Sequence, residues 1–107
     1  MTDFYRAISD PIRRRTLTLV SHKELTQSEL VANFSISQPA LKKHLAILIE
    51  ENLITERRDG RYCFYRLKRE VFYDHYQKLQ HELGSILENK LVKLKDYLEE
   101  DNNGESH

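Results

Sequence analysis

The sequence predicts a mainly α-helical fold with one small β-hairpin and a long C-terminal helix. Three observations carry that prediction. Apolar residues recur at three- and four-residue steps over most of the chain, the period of helices that bury one face. One stretch, "LITERRDGRYCFYRLK", breaks the period. It is rich in β-branched and aromatic residues and is split by Asp59-Gly60, a dipeptide suited to the positive φ angles of a tight hairpin turn. Helical period then returns from residue 70 to about 100, through Phe72, Tyr76, Leu79, Leu83, Ile86, Leu87, Leu91, Leu94 and Leu98.

The elements follow in order. "TDFYRAIS" makes a short first helix with Phe4, Ala7 and Ile8 on one side. "SDPIRRRTLTLVS" opens a second, with Asp10 as N-cap and Pro11 at the first helical position, where proline's fixed φ and missing N–H are harmless. "TQSELVANF" starts a third, Thr26 standing three residues before Glu29 in the spacing of a capping box. "SQPALKKHLAIL" is the fourth, with Ser37 as cap and Pro39 in the first turn. A two-stranded ribbon follows it directly. The last helix has a length of roughly 45 Å at 1.5 Å per residue, more than a small core can cover, and Gly84 is a place for it to bend or break. Together these make a winged helix-turn-helix with a long C-terminal dimerisation helix: one domain over residues 1–100 and a disordered tail over 101–107, the polar end "EEDNNGESH" reading as frayed.

Composition narrows the function. The 107 residues are 39 % hydrophobic and 32 % charged, enough for one modest core and marginal for a monomer. No run is long and apolar enough for a membrane span, and no secretory signal opens the chain. The lone cysteine, Cys63, excludes an internal disulfide framework and fits a reducing cytoplasm. Net charge is zero, but it is unevenly spread. Residues 1–69 hold 13 Lys and Arg against 8 Asp and Glu, net +5; residues 70–107 hold 4 against 9, net −5. The basic part is expected to face an anion, the acidic part water or a partner chain.

The fourth helix has a face to match. At 100° per residue, Gln38, Pro39, Lys42, Lys43 and Ala46 fall in one arc of about 140°, away from Leu41, Leu45 and Leu48, which pack inward. Gln38 can pair with adenine or bond singly to another base, the lysines can reach guanine edges or phosphates, and the Pro39 ring can touch a thymine methyl. The helix N-terminus favours a phosphate, with Ser35 and Ser37 adding donors. Alone, such a face is more often a solvated one; the helix-turn-helix spacing and the hairpin after it reverse that and favour double-stranded DNA. Arg57, Arg58 and Arg61 bracket the hairpin turn, three cations suited to phosphate or minor-groove contact. Tyr62, Phe64, Tyr65 and Leu67 are expected to anchor the ribbon rather than stack on bases.

"AISDPIRRRTLTLV", "SQPALKKHLAILIEENLI" and "RRDGRYCFYRL" resemble, in order, three signature segments of the ArsR-type (ArsR/SmtB-like) family of bacterial winged-helix repressors. The likeness covers roughly residues 3 to 98. It implies a homodimer built on the first and last helices, through Phe4, Ile8, Leu79, Leu83, Ile86, Leu87, Leu91, Leu94 and Leu98. Its two recognition helices would enter successive major grooves of an inverted-repeat operator. Gln38, Pro39, Lys42 and Lys43 align with the family's contacting positions and Arg58 and Arg61 with its wing tip. His44 aligns with a family histidine, read here as a packing or structural residue before a DNA contact.

The family's metal sites are not carried over. Where members place two thiolates on the third helix, "ELVANF" has Val31 and Asn33. Where the last helix carries a second ligand set, Asp74 is followed by Tyr76, with Leu87 and Lys90 at the later ligand positions. His75 and His81 lie six residues apart, about 240° around a helix, so one chain cannot bring them to one metal. No metal or other cofactor is expected; the resemblance is to the branch without metal ligands, which implies control by a partner protein or by autoregulation, and no effector is named. An enzyme is not expected either: three glycines give no phosphate loop, and there is no nucleophile motif. The remaining alternatives are a winged helix that binds only proteins, and a repressor with a non-standard metal or thiol sensor involving His75, His81 or Cys63.

Overall fold

In the computed structural model, residues 3–101 are described, with the side chains of all but 90–92, 100 and 101. The elements run α1 (Phe4–Ile8), α2 (Pro11–His22), β1 (Leu25–Thr26), α3 (Gln27–Val31), α4 (Gln38–Glu50), β2 (Ile54–Asp59), β3 (Tyr62–Leu67) and α5 (Arg69–Asp101). The chain divides after Tyr73 into two compact units.

In the first unit each helix start is fixed by a side chain from just before it. The Asp10 carboxylate accepts from the backbone N–H of Ile12 at 2.7 Å and of Arg13 at 3.3 Å, and Pro11 opens α2. Thr26 Oγ1 accepts from Glu29 N–H at 3.2 Å while Glu29 Oε1 accepts from Thr26 N–H at 2.9 Å, a complete capping box. Ser37 Oγ accepts from Ala40 N–H at 3.2 Å at the head of α4. These satisfy donors that a first helical turn otherwise leaves open. The third helix is shorter than its pattern: α3 stops at Val31, and Asn33 and Phe34 donate to the oxygens of Leu30 and Val31, three residues back, tightening into the turn before α4.

The end of α4 is set by Asn52, whose φ is +62°. Asn52 N–H donates to Ile49 O and Leu53 N–H to Leu48 O, both at 2.9 Å. Leu48 and Leu53 are fully buried beside that crossing. This is a Schellman stop with its hydrophobic contact, and it turns the chain directly into β2.

The sheet has three strands, not two. β1, only two residues long, adds to the hairpin in the antiparallel order β1-β3-β2, with Leu25 opposite Tyr65 and Thr26 opposite Phe64. So short a strand has no alternation for a sequence reading to detect. The hairpin turn also lies one residue on from the expected place. Asp59 pairs with Tyr62, so the loop is Gly60-Arg61, and positive φ occurs at Gly60 and not at Asp59 or Arg61, the pattern of a type II′ turn. Tyr65 is buried as expected, Phe64 and Leu67 are half-buried, and Tyr62 is exposed rather than anchoring.

The core gathers on α4. Leu41, Leu45 and Leu48 are at most 1 % exposed, and Leu30, Val20 and Leu53 are buried with them. Truncating any one to alanine costs about 2–5 kcal/mol. Phe4 lies inside this unit too, its ring edge-on to Phe72 at 5.6 Å. Among the described residues, no buried side-chain nitrogen or oxygen lacks a partner.

In the second unit α5 is unbroken through Gly84, where bending or breakage was expected. The helix continues to Asp101, so Glu99, Glu100 and Asp101 are helical although the sequence reads as tail there; the rest of that stretch, 102–107, lies outside the described residues. Leu83, Ile86, Leu87, Leu94 and Leu98 are all exposed in the single chain, Leu79 is half-buried, and the Leu91 side chain lies outside the described residues.

Candidate nucleic-acid interface

The wing and the fourth helix share one groove. Successive strand residues point to opposite faces, and the register places Glu56 across from Tyr65 and Arg58 across from Cys63. That face looks onto the start of α4. An open groove of about 400 Å³ lies between them, bounded by Gln38 and Lys42 on one side and by Glu56, Arg58, Arg61, Tyr62 and Cys63 on the other, with Thr26, Gln27 and Ser28 at its end. Ser35, Ser37, Pro39 and Lys43 are exposed on the same helix or just before it.

Arg57 stands apart from its neighbours. One residue out of phase with Arg58, it emerges on the opposite face beside Phe64, its guanidinium carbon 4.6 Å from the ring centroid. It donates to both oxygens of Glu24, at 2.8 and 3.1 Å, and lies 3.7 Å from Asp59. The hydrogen bond from Arg57 holds the Glu24 carboxyl below its usual range, and Glu24 in turn raises Arg57. A forked pair of this kind fixes geometry as well as charge. It ties the wing back to the segment between α2 and β1. Arg58 and Arg61, by contrast, border the groove; Arg61 occupies the loop itself, over the exposed Tyr62 ring.

Inside the groove, the Tyr65 hydroxyl donates to Glu56 Oε2 at 3.1 Å. Burial, the Glu56 charge and Cys63 push the phenol well above its ordinary value, so it stays a donor at any physiological pH. At the head of α4, Gln27 Nε2 donates to Gln38 Oε1 at 3.0 Å. Gln27, Ser28, Glu56 and Tyr62 are groove residues that the sequence reading did not pick out. Nothing in the spacing of Gln27 and Gln38, eleven residues apart, marks them as partners.

His44 faces the other way. Its Nδ1 lies 3.0 Å from Arg13 Nη1 and 4.0 Å from Asp10 Oδ1. The Arg13 guanidinium is buried and also donates to the backbone oxygens of Ala7 and Arg6, both at 2.9 Å. Burial pushes the Asp10 carboxyl up, but its backbone hydrogen bonds and the nearby His44 and Arg13 bring it below the usual range. His44 is therefore tied to Arg13 within the protein. Among the described residues, no three His, Cys, Asp or Glu side chains are grouped to hold a metal ion.

A helix-turn-helix whose second helix turns a polar, cationic face into a groove walled by an arginine-tipped wing is a DNA-binding design. Comparison with known proteins gives the family. Residues 10–56 match the bacterial regulatory proteins of the arsR family. The chain is 35% identical over 74 residues to the transcriptional repressor SdpR of Bacillus subtilis (strain 168), spanning 69% of this chain and 82% of that one. It is 33% identical over 79 residues to the arsenical resistance operon repressor of Staphylococcus aureus, spanning 74% and 76%. The crystal structure of a possible transcriptional regulator for arsenical resistance matches with a TM-score of 0.69 at 30% identity, over 83% of this chain and 97% of that one. The chain belongs to the ArsR family, and it is a DNA-binding transcriptional regulator, not an enzyme.

Proposed function

We propose that the protein is a homodimeric repressor that binds an inverted-repeat operator in the cytoplasm, with no metal inducer. The observation that carries this reading is the shared groove: Gln38 and Lys42 face Arg58 and Arg61 across a gap open to solvent. In this reading Gln38, Pro39, Lys42 and Lys43 enter the major groove, with Ser35 and Ser37 on the adjoining phosphates. Arg58 and Arg61 neutralise backbone phosphates beside it, and Arg57 holds the wing at its angle. The exposed leucines and isoleucine of α5, with Ile8 and the remaining edge of Phe4, close on a second copy. Two-fold pairing sets the recognition helices about one helical turn of DNA apart, roughly 34 Å. No helix among the described residues is long and apolar enough to cross a membrane. Selection from a pool of random duplexes is the test. It should return an inverted repeat whose half-site centres lie about 10–10.5 base pairs apart or a multiple of that; enrichment of a lone half-site, or of nothing, overturns the proposal.

A further inference from the structure

Gln27, in the first turn of α3, reaches across the turn of the motif to the start of α4. Its Nε2 lies 3.0 Å from the side-chain Oε1 of Gln38 and 3.4 Å from that residue's backbone oxygen. A backbone carbonyl oxygen only accepts, so the Gln27 atom facing it is the nitrogen. The other hydrogen of that nitrogen meets the Gln38 carboxamide, whose oxygen alone can accept it. The Gln38 amide is held with Oε1 toward α3 and its NH₂ turned away.

The support behind Gln27 is firm. Thr26 and Glu29 close the capping box around it, and Thr26 is paired with Phe64 in the sheet. A solvated glutamine presents either end of its amide by a half-turn. This one is held.

We propose that Gln27 is a positioning and specificity-determining residue: it sets the hydrogen-bond polarity that Gln38 offers to a base. The inference rests on the reading of Gln38 as a base-contacting residue. With NH₂ outward, Gln38 favours bases that carry major-groove acceptors: guanine through N7 and O6, thymine through O4, adenine through N7. Cytosine offers only its N4 donor there and is disfavoured.

Duplex selection with the parent, Gln38→Ala, Gln27→Met and Gln27→Glu tests this. Gln38→Ala identifies the base position concerned. Gln27→Met keeps the length of the side chain but donates nothing, so discrimination against cytosine at that position should fall roughly threefold or more, other positions and the melting temperature being unchanged. Gln27→Glu can only accept; it should draw the Gln38 NH₂ to itself and turn Oε1 outward. Preference at that position should then move toward cytosine or adenine by roughly tenfold relative to guanine. The added carboxylate weakens binding to every duplex alike, so relative preference is the quantity to read. If Gln38→Ala alters one position while both Gln27 variants keep the parent's preferences there, Gln27 is only a buttress and the inference is overturned, the reading of Gln38 standing. If Gln38→Ala alters no position, the reading of Gln38 fails and takes this inference with it.

Discussion

The three arginines of the wing should separate when titrated with salt. Arg58 and Arg61 border the groove, whereas Arg57 is held by Glu24 through two bonds of 2.8 and 3.1 Å on the opposite strand face. Each phosphate contact contributes about 0.9 to the slope of log K against log salt on duplex DNA. In a dimer, Arg58→Ala with Arg61→Ala removes four cations, so the slope should flatten by about 3.6 if all four lie on phosphates. Between 50 and 200 mM salt that is a difference of roughly two orders of magnitude in how far affinity falls. Arg57→Ala should leave the slope within about one of the parent's, because its charge is already compensated in the protein. Fluorescence anisotropy of a labelled duplex at five or six salt concentrations measures all three slopes. Equal flattening by Arg57→Ala and by the double variant would refute the division of labour. An unchanged slope in the double variant would remove the wing from the interface.

Asn52→Ala should lower stability by about 1–2 kcal/mol, since the new residue must hold a left-handed φ, while Asn52→Gly should be neutral or stabilising; urea melts of the two variants distinguish them. Acid should destabilise the fold through Asp10, Glu24 and Glu29, which are all lowered. For Asp10, capping bonds with the nearby His44 and Arg13 outweigh burial; for Glu24 the main cause is the Arg57 bond, and for Glu29 the Thr26 backbone bond. Folded values below unfolded ones mean that their stabilisation is complete above the ordinary carboxylate range, about pH 4, and is lost as pH falls through the folded values. Thermal melts should therefore drop on the acid side, less steeply in a variant carrying Asp10→Asn, Glu24→Gln and Glu29→Gln. Leu87→Asp with Leu94→Asp alters two side chains exposed in the single chain, so circular dichroism should stay helical while sedimentation shows a monomer with operator affinity lowered at least a hundredfold (about 2.7 kcal/mol); a folded monomer with full affinity refutes the dimer.

Much of this architecture could be read from the chain because its signals are local. Asp10-Pro11, Thr26 with Glu29, and Ser37 with Pro39 each name a helix start within a few residues, and each cap forms. The Leu41, Leu45, Leu48 stripe needed only the helical period to be assigned inward, and it lies inward. What escaped was set by pairing across distance. β1 exists because Leu25 and Thr26 meet Tyr65 and Phe64, 40 and 38 residues away, with nothing in two residues to announce it. The turn moved by one residue because strand register, not the Asp-Gly dipeptide, decided which pair closed the loop. Arginines at 57 and 58 look alike in sequence, yet the pleat sends them to opposite faces, and only one meets Glu24. Gln27 is the same kind of case, since its partner is fixed by how α3 and α4 cross.

The polar bonds behind α4 bear on how a partner chain would act on the DNA face. Arg13 joins the last carbonyls of α1 to His44 in the middle of α4. At the end of α4 the buried Glu51 accepts from Asp3 N–H and lies 3.5 Å from Arg6, again on or beside α1. Two buried charges thus fasten the first helix to the recognition helix at separate points, on the side away from Lys42 and Lys43. Leaving either buried charge, Arg13 or Glu51, without its partners is costly, of order 3–5 kcal/mol, because it is then uncompensated. Sliding α1 over α4 would incur that cost at both points, whereas moving the two together incurs neither. A second copy seated against α1, as proposed here, would therefore take hold of the recognition helix itself. The symmetry of the assembly would then pass directly into the spacing of the two faces on DNA, with no loop between them to absorb it.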